Sequence, residues 1–597
     1  MNPAPPRDAA PPDAPAGSPM LRRGSIGLAA GIAASVLLAP AVGTALAVVL
    51  GAVLGCAYGL TFRFSPGAGL DALMTSSALG FPSWAAISVV LLPLAAGRPP
   101  MWSADELRAL VPQLVAWVLF GAALGIVVQA LAAGARRWLG PEPMPRRAPE
   151  PPPRRVVILG GGFAGVSAAL ELERLLGSDR SVSVTLVSET NALLFTPMLA
   201  EVAGSALEPT HISCPLRTSL RRTAVVRGAV RGVDFERRQV LVAGAQPLEL
   251  RYDHLVLALG SVTNHFGLEG VARHALGFKS LREATRIRAQ VIDAFERAAM
   301  ASDPRVRREL LTFIVAGGGF AGVELAGAVN DFARGMVADH PALSNDDVSV
   351  ILAHPGDRIL PELSPALARY AQQRLEARGV AFRLGERVAD ARPGAFVLKS
   401  GEELRGHTLV WTAGTAPSPL LRTLGLELSP RGAIVVDRCL AVPGSPGVWA
   451  IGDCAAVVDV RTGKPCPPTA QFALREGRCA ARGIHAALRR RAPVPFHFEA
   501  LGTLCVVGYQ TACAELRIPF TSRHVRFSGL LAWMMWRFIY LSKLPGPERK
   551  ARVLADWTFE LFFPRDVVQP DGELDAPSAT ELTPLAATRQ EAAGGHP

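Results

Sequence analysis

Cysteine is sparse and scattered in this chain of 597 residues. Its eight copies, at 56, 214, 439, 454, 466, 479, 505 and 513, form no CxxC or CxxxxC pair. That spacing argues against a zinc site and against a redox-active dithiol, so no metal is expected. Scattered reduced thiols suit a cytoplasmic catalytic portion. Charge is scarce in one region: residues 24–131 are dominated by Ala, Leu, Val and Gly, with charges confined to short breaks. Absent too is any nucleic-acid-binding motif to accompany the net charge of +11. Attraction to anionic lipid headgroups explains that charge more simply, and no nucleic-acid partner is expected.

The uncharged region reads as membrane. Residues 24–60 as one helix would be about 55 Å long against a hydrocarbon core of roughly 30 Å. Pro40 suggests a break, giving two short spans, followed by 72–96 and 107–131. Four spans result, with three as the alternative. Arg22 and Arg23 precede the first span and Arg136 and Arg137 follow the last, so an even count places both ends in the cytoplasm, at the cell's inner membrane. The spacings Gly27/Gly31 and Gly51/Gly55/Gly59 allow helices to approach closely. No acid, His or Lys lies within the spans, which favours an anchor over a transport path.

What the chain has in abundance is glycine at two particular places. GGGFAG stands at 160–165 and again at 317–322, each time after an apolar β-branched run and before an alanine-rich helical pattern. Glycines let the backbone turn tightly and approach a pyrophosphate, whose charge then rests on the unpaired N–H groups of a helix N-terminus. The first unit has a strand at 155–159, the turn with Gly160, Gly162, Phe163, Ala164 and Gly165, and a second strand at 182–188 ending at Glu189, placed to accept from a ribose. The second has a strand at 311–315, the turn with Gly317, Gly319 and Gly322, a helix through Phe332 and a strand at 348–352. Its second strand ends differently, in Ala353-His354-Pro355-Gly356, with no acid for a 2′-hydroxyl. His354, with Arg358, is the candidate for tolerating a 2′-phosphate and so admitting NADPH beside NADH. Two bound dinucleotides point to electron transfer.

Longer strings narrow the reading. Leu194-Phe195-Thr196-Pro197-Met198-Leu199, the run from Tyr252-Asp253-His254 to Leu259-Gly260-Ser261, and Val448-Trp449-Ala450-Ile451-Gly452-Asp453 together resemble the type II NADH dehydrogenases over residues 154–565. These are FAD-containing NAD(P)H:quinone oxidoreductases of the two-dinucleotide-binding-domain flavoprotein superfamily. The resemblance implies an α/β fold with two Rossmann-like domains, the second inserted in the first. The first turn, with Glu189 and Asp453, would hold FAD. The second would bind NADH or NADPH, and Glu324 in GVELAG matches an acid near nicotinamide and flavin. By periodicity alone Glu324 is a first-turn helix acid favoured by the dipole. Pro468-Thr469-Ala470-Gln471 through Gly477 resembles the quinone-side motif AQxAxQQG, but Arg475 and Glu476 replace its two glutamines. These two form a local ion pair or reshape the quinone mouth.

The expected organisation is a disordered tail (1–20), a transmembrane helical region (21–138), a Pro-rich linker (139–154), an FAD-binding domain in two parts (155–280 and 436–524), an NAD(P)H-binding domain between them (281–435), an amphipathic membrane-associated segment (525–566) and a disordered tail (567–597). That last segment sets Trp533, Trp536, Phe538, Tyr540, Trp557, Phe559, Phe562 and Phe563 among Arg537, Lys543, Arg549, Lys550 and Arg552, broken near Pro545-Gly546-Pro547. Such stripes are also common as ordinary core. The chemistry expected is hydride transfer to FAD, then reduction of a membrane quinone without proton pumping. A homodimer is left open. A sulfide:quinone reductase is the nearest enzyme alternative, and a membrane-tethered flavoprotein sensor the alternative from another class.

Overall fold

The computed structural model of the protein describes residues 19–61, 69–139, 154–244, 246–518, 521 and 523–569. The expected tails before residue 19 and after 569, and the linker at 140–153, lie outside the described residues. The chain divides into two compact units, residues 1–147 with 541–550 and residues 148–540 with 551–597.

The first unit is helical where described. Helices Pro19–Ala34 and Thr44–Thr61 are joined by a 3-10 turn, Ser35–Leu37, and a short helix, Ala39–Val42. Pro40 stands in the first turn of that short helix, where its missing N–H costs nothing, and Gly43 turns the chain at φ +84°. The expected break is real, but residues on either side of Pro40 make it. Gly27 and Gly31 face Gly51, Gly55 and Gly59 so closely that a Cβ at Gly31 would fall on the Gly51 carbonyl oxygen. Small residues at this spacing let the two backbones meet. Helices Gly69–Trp84 and Val111–Leu139 approach in the same way, Gly121 against the Ser76 carbonyl.

Helix Gly69–Trp84 continues through a π-helical stretch, Ala85–Leu91, which takes up the irregularity around Pro82. Ser103 and Glu106 form a capping box that starts a separate helix, Ala104–Ala109, so the last apolar helix begins at Val111 rather than at residue 107. Three stretches, Thr44–Thr61, Ala72–Ala95 and Val111–Ala135, are long and apolar enough to cross a membrane. Arg23–Leu37 is apolar but spans only about 22 Å. The four expected segments are therefore four apolar helices, three of them of spanning length.

The second unit holds two five-stranded parallel sheets. The first runs in the order Val448–Ala450, His254–Leu257, Arg154–Leu159, Val182–Ser188, Ala224–Arg227. The second runs Leu276–Gly277, Thr408–Trp411, Thr312–Ala316, Ser349–His354, Val380–Leu384. Parallel strands covered on both faces need unbroken apolar runs, and Val156, Val157, Ile158 and Leu159 are all buried. Strand Val448–Ala450 returns to the first sheet after the second is complete, so the second layout is inserted within the first. An antiparallel pair, Ser261–Thr263 with Thr415–Pro417, carries the chain out and back. The second sheet recruits Leu276–Gly277, ahead of residue 281. The helix expected through Phe332 continues to Met336.

A three-stranded antiparallel sheet, Gly502–Val506, Ala512–Arg517 and His524–Gly529, precedes helices Leu530–Lys543 and Pro547–Phe559. The helices part where Pro545-Gly546-Pro547 was expected to break them. Their aromatics do not all lie on one exposed face. Trp533, Trp536 and Trp557 are buried, and the Arg537 guanidinium lies 3.9 Å over the Trp533 ring and 4.8 Å over that of Trp557. Exposed apolar side chains gather instead at the end of the second helix and beyond, at Phe559, Leu561, Phe562 and Phe563.

Candidate active site

The first glycine turn is built to leave room. Gly160 has φ +119° and is pressed against the Ala258 carbonyl, while a Cβ at Gly165 would fall on the Gly160 carbonyl oxygen. Gly162 differs, because a Cβ there meets nothing within 4 Å. Helix Phe163–Leu176 starts from Gly162 without a side-chain cap, so its first N–H groups face that open space. Ala164 is buried, a Cβ at Gly452 would lie 3.0 Å from its own, and Phe163 packs edge-on to Phe195. Glu189 is exposed just past its strand.

The Gly452-Asp453 turn joins this end of the sheet. Gly452 has φ +72°, and Asp453 accepts from the Ser261 hydroxyl and lies 3.7 Å from the Lys279 ammonium. Lys279 also donates to Ser261, and burial pushes its pKa down. Helix Ala470–Leu488 runs parallel to Phe163–Leu176: Ser167 donates to the Leu474 carbonyl at 2.7 Å, Arg482 pairs with Glu171 at 2.9 Å and Arg489 with Asp179 at 3.2 Å. Both N-termini therefore lie at one end, and neither carries a side-chain cap. Uncapped donors, an open glycine and a positioned carboxylate fit the phosphates and ribityl chain of a dinucleotide flavin.

Arg475 and Glu476 do not behave as a local ion pair. Adjacent helical residues face different directions. Arg475 lies 5.1 Å over the Phe498 ring, whereas Glu476 is 3% exposed and accepts the Gly452 N–H at 2.6 Å. Glu476 thus braces the turn that presents Asp453. Burial raises its pKa to about 7. Gln471 donates to the Gly502 carbonyl at 2.8 Å, tying this helix to the antiparallel sheet.

The second turn repeats the first: Gly317 has φ +126°, Gly322 sits on its carbonyl, and helix Phe320–Met336 starts uncapped from Gly319. His354 is not free to greet a phosphate. Its Nδ1 accepts the Gly318 N–H at 3.0 Å, which leaves the proton of the neutral ring on Nε2, and burial lowers its pKa. Arg358 turns to the carbonyls of Leu363 and Pro361, so the expected His354 and Arg358 pair at a 2′-phosphate is not assembled. An acid stands near instead, since a Cβ at Gly319 would come within 3.8 Å of a Glu362 carboxylate oxygen.

Glu324 is no first-turn surface acid. Its carboxylate accepts the Val506 N–H at 3.2 Å, and burial raises its pKa from 4.5 to about 8. It lines a cavity of about 30 Å³ with Glu201, Asp331, Trp533, Trp536 and Arg537. Aromatic contacts run from Phe163 through Phe195 and Tyr540 to Trp536, which lines this cavity. Sequence reasoning missed Lys279 and Glu201, and gave Glu476 another role. Lys279 sits in a loop without periodicity, and Glu201 follows the Phe-Thr-Pro-Met string as an unremarked helix acid.

Glu324, Glu201, Glu476 and Asp331 all have raised pKa, and this makes stability depend on pH in a definite sense. Glu324, Glu201 and Glu476 stay protonated in the folded protein to about 8, 7 and 7, whereas the unfolded chain ionises them near 4.5. The unfolded state then binds fewer protons, so their contribution falls as pH rises from about 4.5 to about 8 and is level beyond. Thermal unfolding followed across this window should show the decline, and Glu476→Gln should make it shallower. An unchanged slope would contradict the assignment.

Known proteins carry the same architecture. The model of the pyridine nucleotide-disulphide oxidoreductases matches residues 154–477, and that of the NDH2 C-terminal domain matches 501–566. A type II NADH:quinone oxidoreductase of Mycobacterium tuberculosis is 32% identical over 462 residues, which cover 74% of this chain and 96% of that protein. An internal alternative NAD(P)H-ubiquinone oxidoreductase of Arabidopsis thaliana is 29% identical, over 69% of this chain and 85% of the relative. Among solved structures, NDH2 of Plasmodium falciparum in complex with NADH superposes with a TM-score of 0.64 at 19% identity, over 70% of this chain and all of that one. The sulfide:quinone oxidoreductase of Aquifex aeolicus shares the fold at TM-score 0.54 and 17% identity, over 70% of this chain and 96% of that one. With matched family models over both the dinucleotide-binding sheets and the C-terminal segment, the chain belongs to the type II NADH:quinone oxidoreductases.

Proposed function

We infer that the chain oxidises NADH through bound FAD and passes the electrons to a membrane quinone. The observation that carries this is the pair of glycine turns on two parallel sheets of one unit, with the half-buried acid Glu324 on the helix that follows the second turn. Bound FAD supplies the isoalloxazine that accepts a hydride and releases electrons to the quinone. The protein's own part is positional. Gly160, Gly162, Phe163, Ala164 and Gly165 form the pyrophosphate cradle, Glu189 takes the ribose, and Asp453 takes the ribityl-phosphate side, braced by Ser261, Lys279 and Glu476. Gly317, Gly319 and Gly322 seat the nicotinamide dinucleotide, and His354 offers its Nε2–H to the ribose. Gln471 fixes the helix that borders the quinone side. In this reading 155–280 and 436–524 bind FAD, and 281–435 binds NADH.

The second turn favours NADH over NADPH. A 2′-phosphate would meet a neutral His354 while Arg358 is turned to the Leu363 and Pro361 carbonyls, and an unpaired charge costs at least about 1.4 kcal/mol, or about tenfold. Steady-state oxidation with a short-chain quinone should give kcat/KM for NADH about tenfold or more above NADPH. Equal values would sink the assignment. His354→Glu should leave NADH in use and lower NADPH further.

The apolar helices, with the exposed Phe559, Leu561, Phe562 and Phe563, support a multi-pass anchor in the inner membrane with the catalytic unit on the cytoplasmic side. The same aromatic cluster gives an apolar quinone a lipid-side approach.

A further inference from the structure

Beside Glu324 lies a second largely enclosed carboxyl that hydride transfer does not require. Glu201, on the short helix Leu199–Ala203, has a side chain only 12% exposed and lines the same cavity as Glu324. A void of about 30 Å³ has room for one or two water molecules, in a mainly apolar lining that the carboxyls of Glu201, Glu324 and Asp331 interrupt. The charged side chains that lie around Glu201 are held by partners as follows. The Trp557 indole N–H donates to its Oε2 at 3.0 Å, and Arg537 stands 3.8 Å from its Oε1. Arg537 is itself bonded to Glu560, whose other oxygen is held by Arg565 at 2.9 Å. On helix Leu281–Met300, Arg288 turns to Asp566, and on helix Pro547–Phe559, Asp556 turns to His211. Asp331, on the helix of Glu324, pairs with Arg378 at 3.1 Å.

Glu560 is thus paired with two guanidiniums, while Glu201 has one hydrogen bond and one more distant cation. Burial raises its pKa to about 7, Arg537 and Trp557 opposing the rise. It can therefore hold a proton or lose it near neutrality, and Arg537 steadies the charge left behind. This matters for stoichiometry if the chain reduces quinones, the reading on which the inference rests. The overall reaction is NADH + H⁺ + quinone → NAD⁺ + quinol. The hydride carries two electrons and one proton. Two O–H bonds form on the quinone, so one further proton must come from solvent.

We propose that Glu201 relays that solvent proton across the cavity to Glu324. The step is a proton transfer alone: the O–H bond of the Glu201 carboxyl breaks, an O–H bond forms on the Glu324 carboxylate, directly or through a water molecule, and solvent reprotonates Glu201. Glu324 then gives its proton to the reduced acceptor.

The test uses the full-length, FAD-loaded protein with two acceptors, a short-chain quinone that takes up protons and ferricyanide that takes up only electrons. Glu201→Gln keeps the volume and the acceptor for Trp557. It should lower the quinone rate about tenfold or more and leave the ferricyanide rate within about twofold. Infrared difference spectra of resting protein between about pH 5.5 and about 8.5 should lose one protonated-carboxyl C=O band in the variant. Quinone and ferricyanide rates that fall together, or a quinone rate that does not change, would overturn the relay. If Glu201→Gln does not fold with FAD, Trp557→Phe serves: loss of its N–H raises the pKa of Glu201, so the alkaline limb of the quinone rate should move to higher pH. An unmoved limb would overturn the relay as well. Wild-type protein that reduces ferricyanide but no quinone would remove the proposed function itself, and the relay with it.

Discussion

Gly162→Val is expected to give a folded protein that no longer retains FAD. A Cβ at Gly162 has nothing packed within 4 Å, so a side chain there enters the space in front of the uncapped helix Phe163–Leu176. That space is where a pyrophosphate must approach the backbone. A side chain there replaces strong charge-assisted hydrogen bonds with a steric block, which should cost about 3 kcal/mol or more, about a hundredfold in affinity. Gly165→Val provides the contrast. Its Cβ would strike the Gly160 carbonyl, a backbone atom that cannot swing aside, so the helix must lift from the strand and stability should fall with cofactor binding. Flavin absorbance per protein and the melting temperature separate the two. FAD at wild-type occupancy in Gly162→Val would contradict the placement.

The second large effect is expected at Glu324. Glu324→Gln preserves the shape and the acceptor for the Val506 N–H, so the local fold should hold. What it removes is a proton carrier whose pKa, about 8, lies close to the working pH. General acid–base groups of this kind contribute about a hundredfold or more. Quinone reduction should fall by that order, and the pH dependence of its rate should lose the limb near pH 8. Flavin reduction by NADH in a single turnover should change far less, because it consumes no solvent proton. Equal losses in both half-reactions would assign Glu324 to placing the nicotinamide instead.

Much of the architecture was legible because it rests on local chemistry. The glycine turns announce themselves through backbone demands, and the strands before them through unbroken apolar runs such as Val156 to Leu159. Gly27, Gly31, Gly51, Gly55 and Gly59 foretold the close helix pair, because glycine at that spacing has one evident use in an apolar helix. Less legible was whatever depends on distant segments meeting. Glu476 braces Gly452 only because helix Ala470–Leu488 lies parallel to Phe163–Leu176, far away in the chain. His354 stood where an acid is usually sought, but only the fold shows its Nδ1 tied to Gly318. The tryptophans of the last helices satisfied an interfacial pattern and a core pattern equally well. Burial of Trp533, Trp536 and Trp557 around Glu201, Arg537 and Glu560 decides between them.

Anaerobic titration of the purified, FAD-loaded protein with NADH, followed by addition of a short-chain quinone, tests the central claim most directly. One equivalent of NADH should bleach the flavin absorbance, NADPH should do so far less readily at the same concentration, and quinone should restore the oxidised spectrum while quinol appears. A flavin that NADH does not reduce, or that stays reduced when quinone is added, would contradict the account.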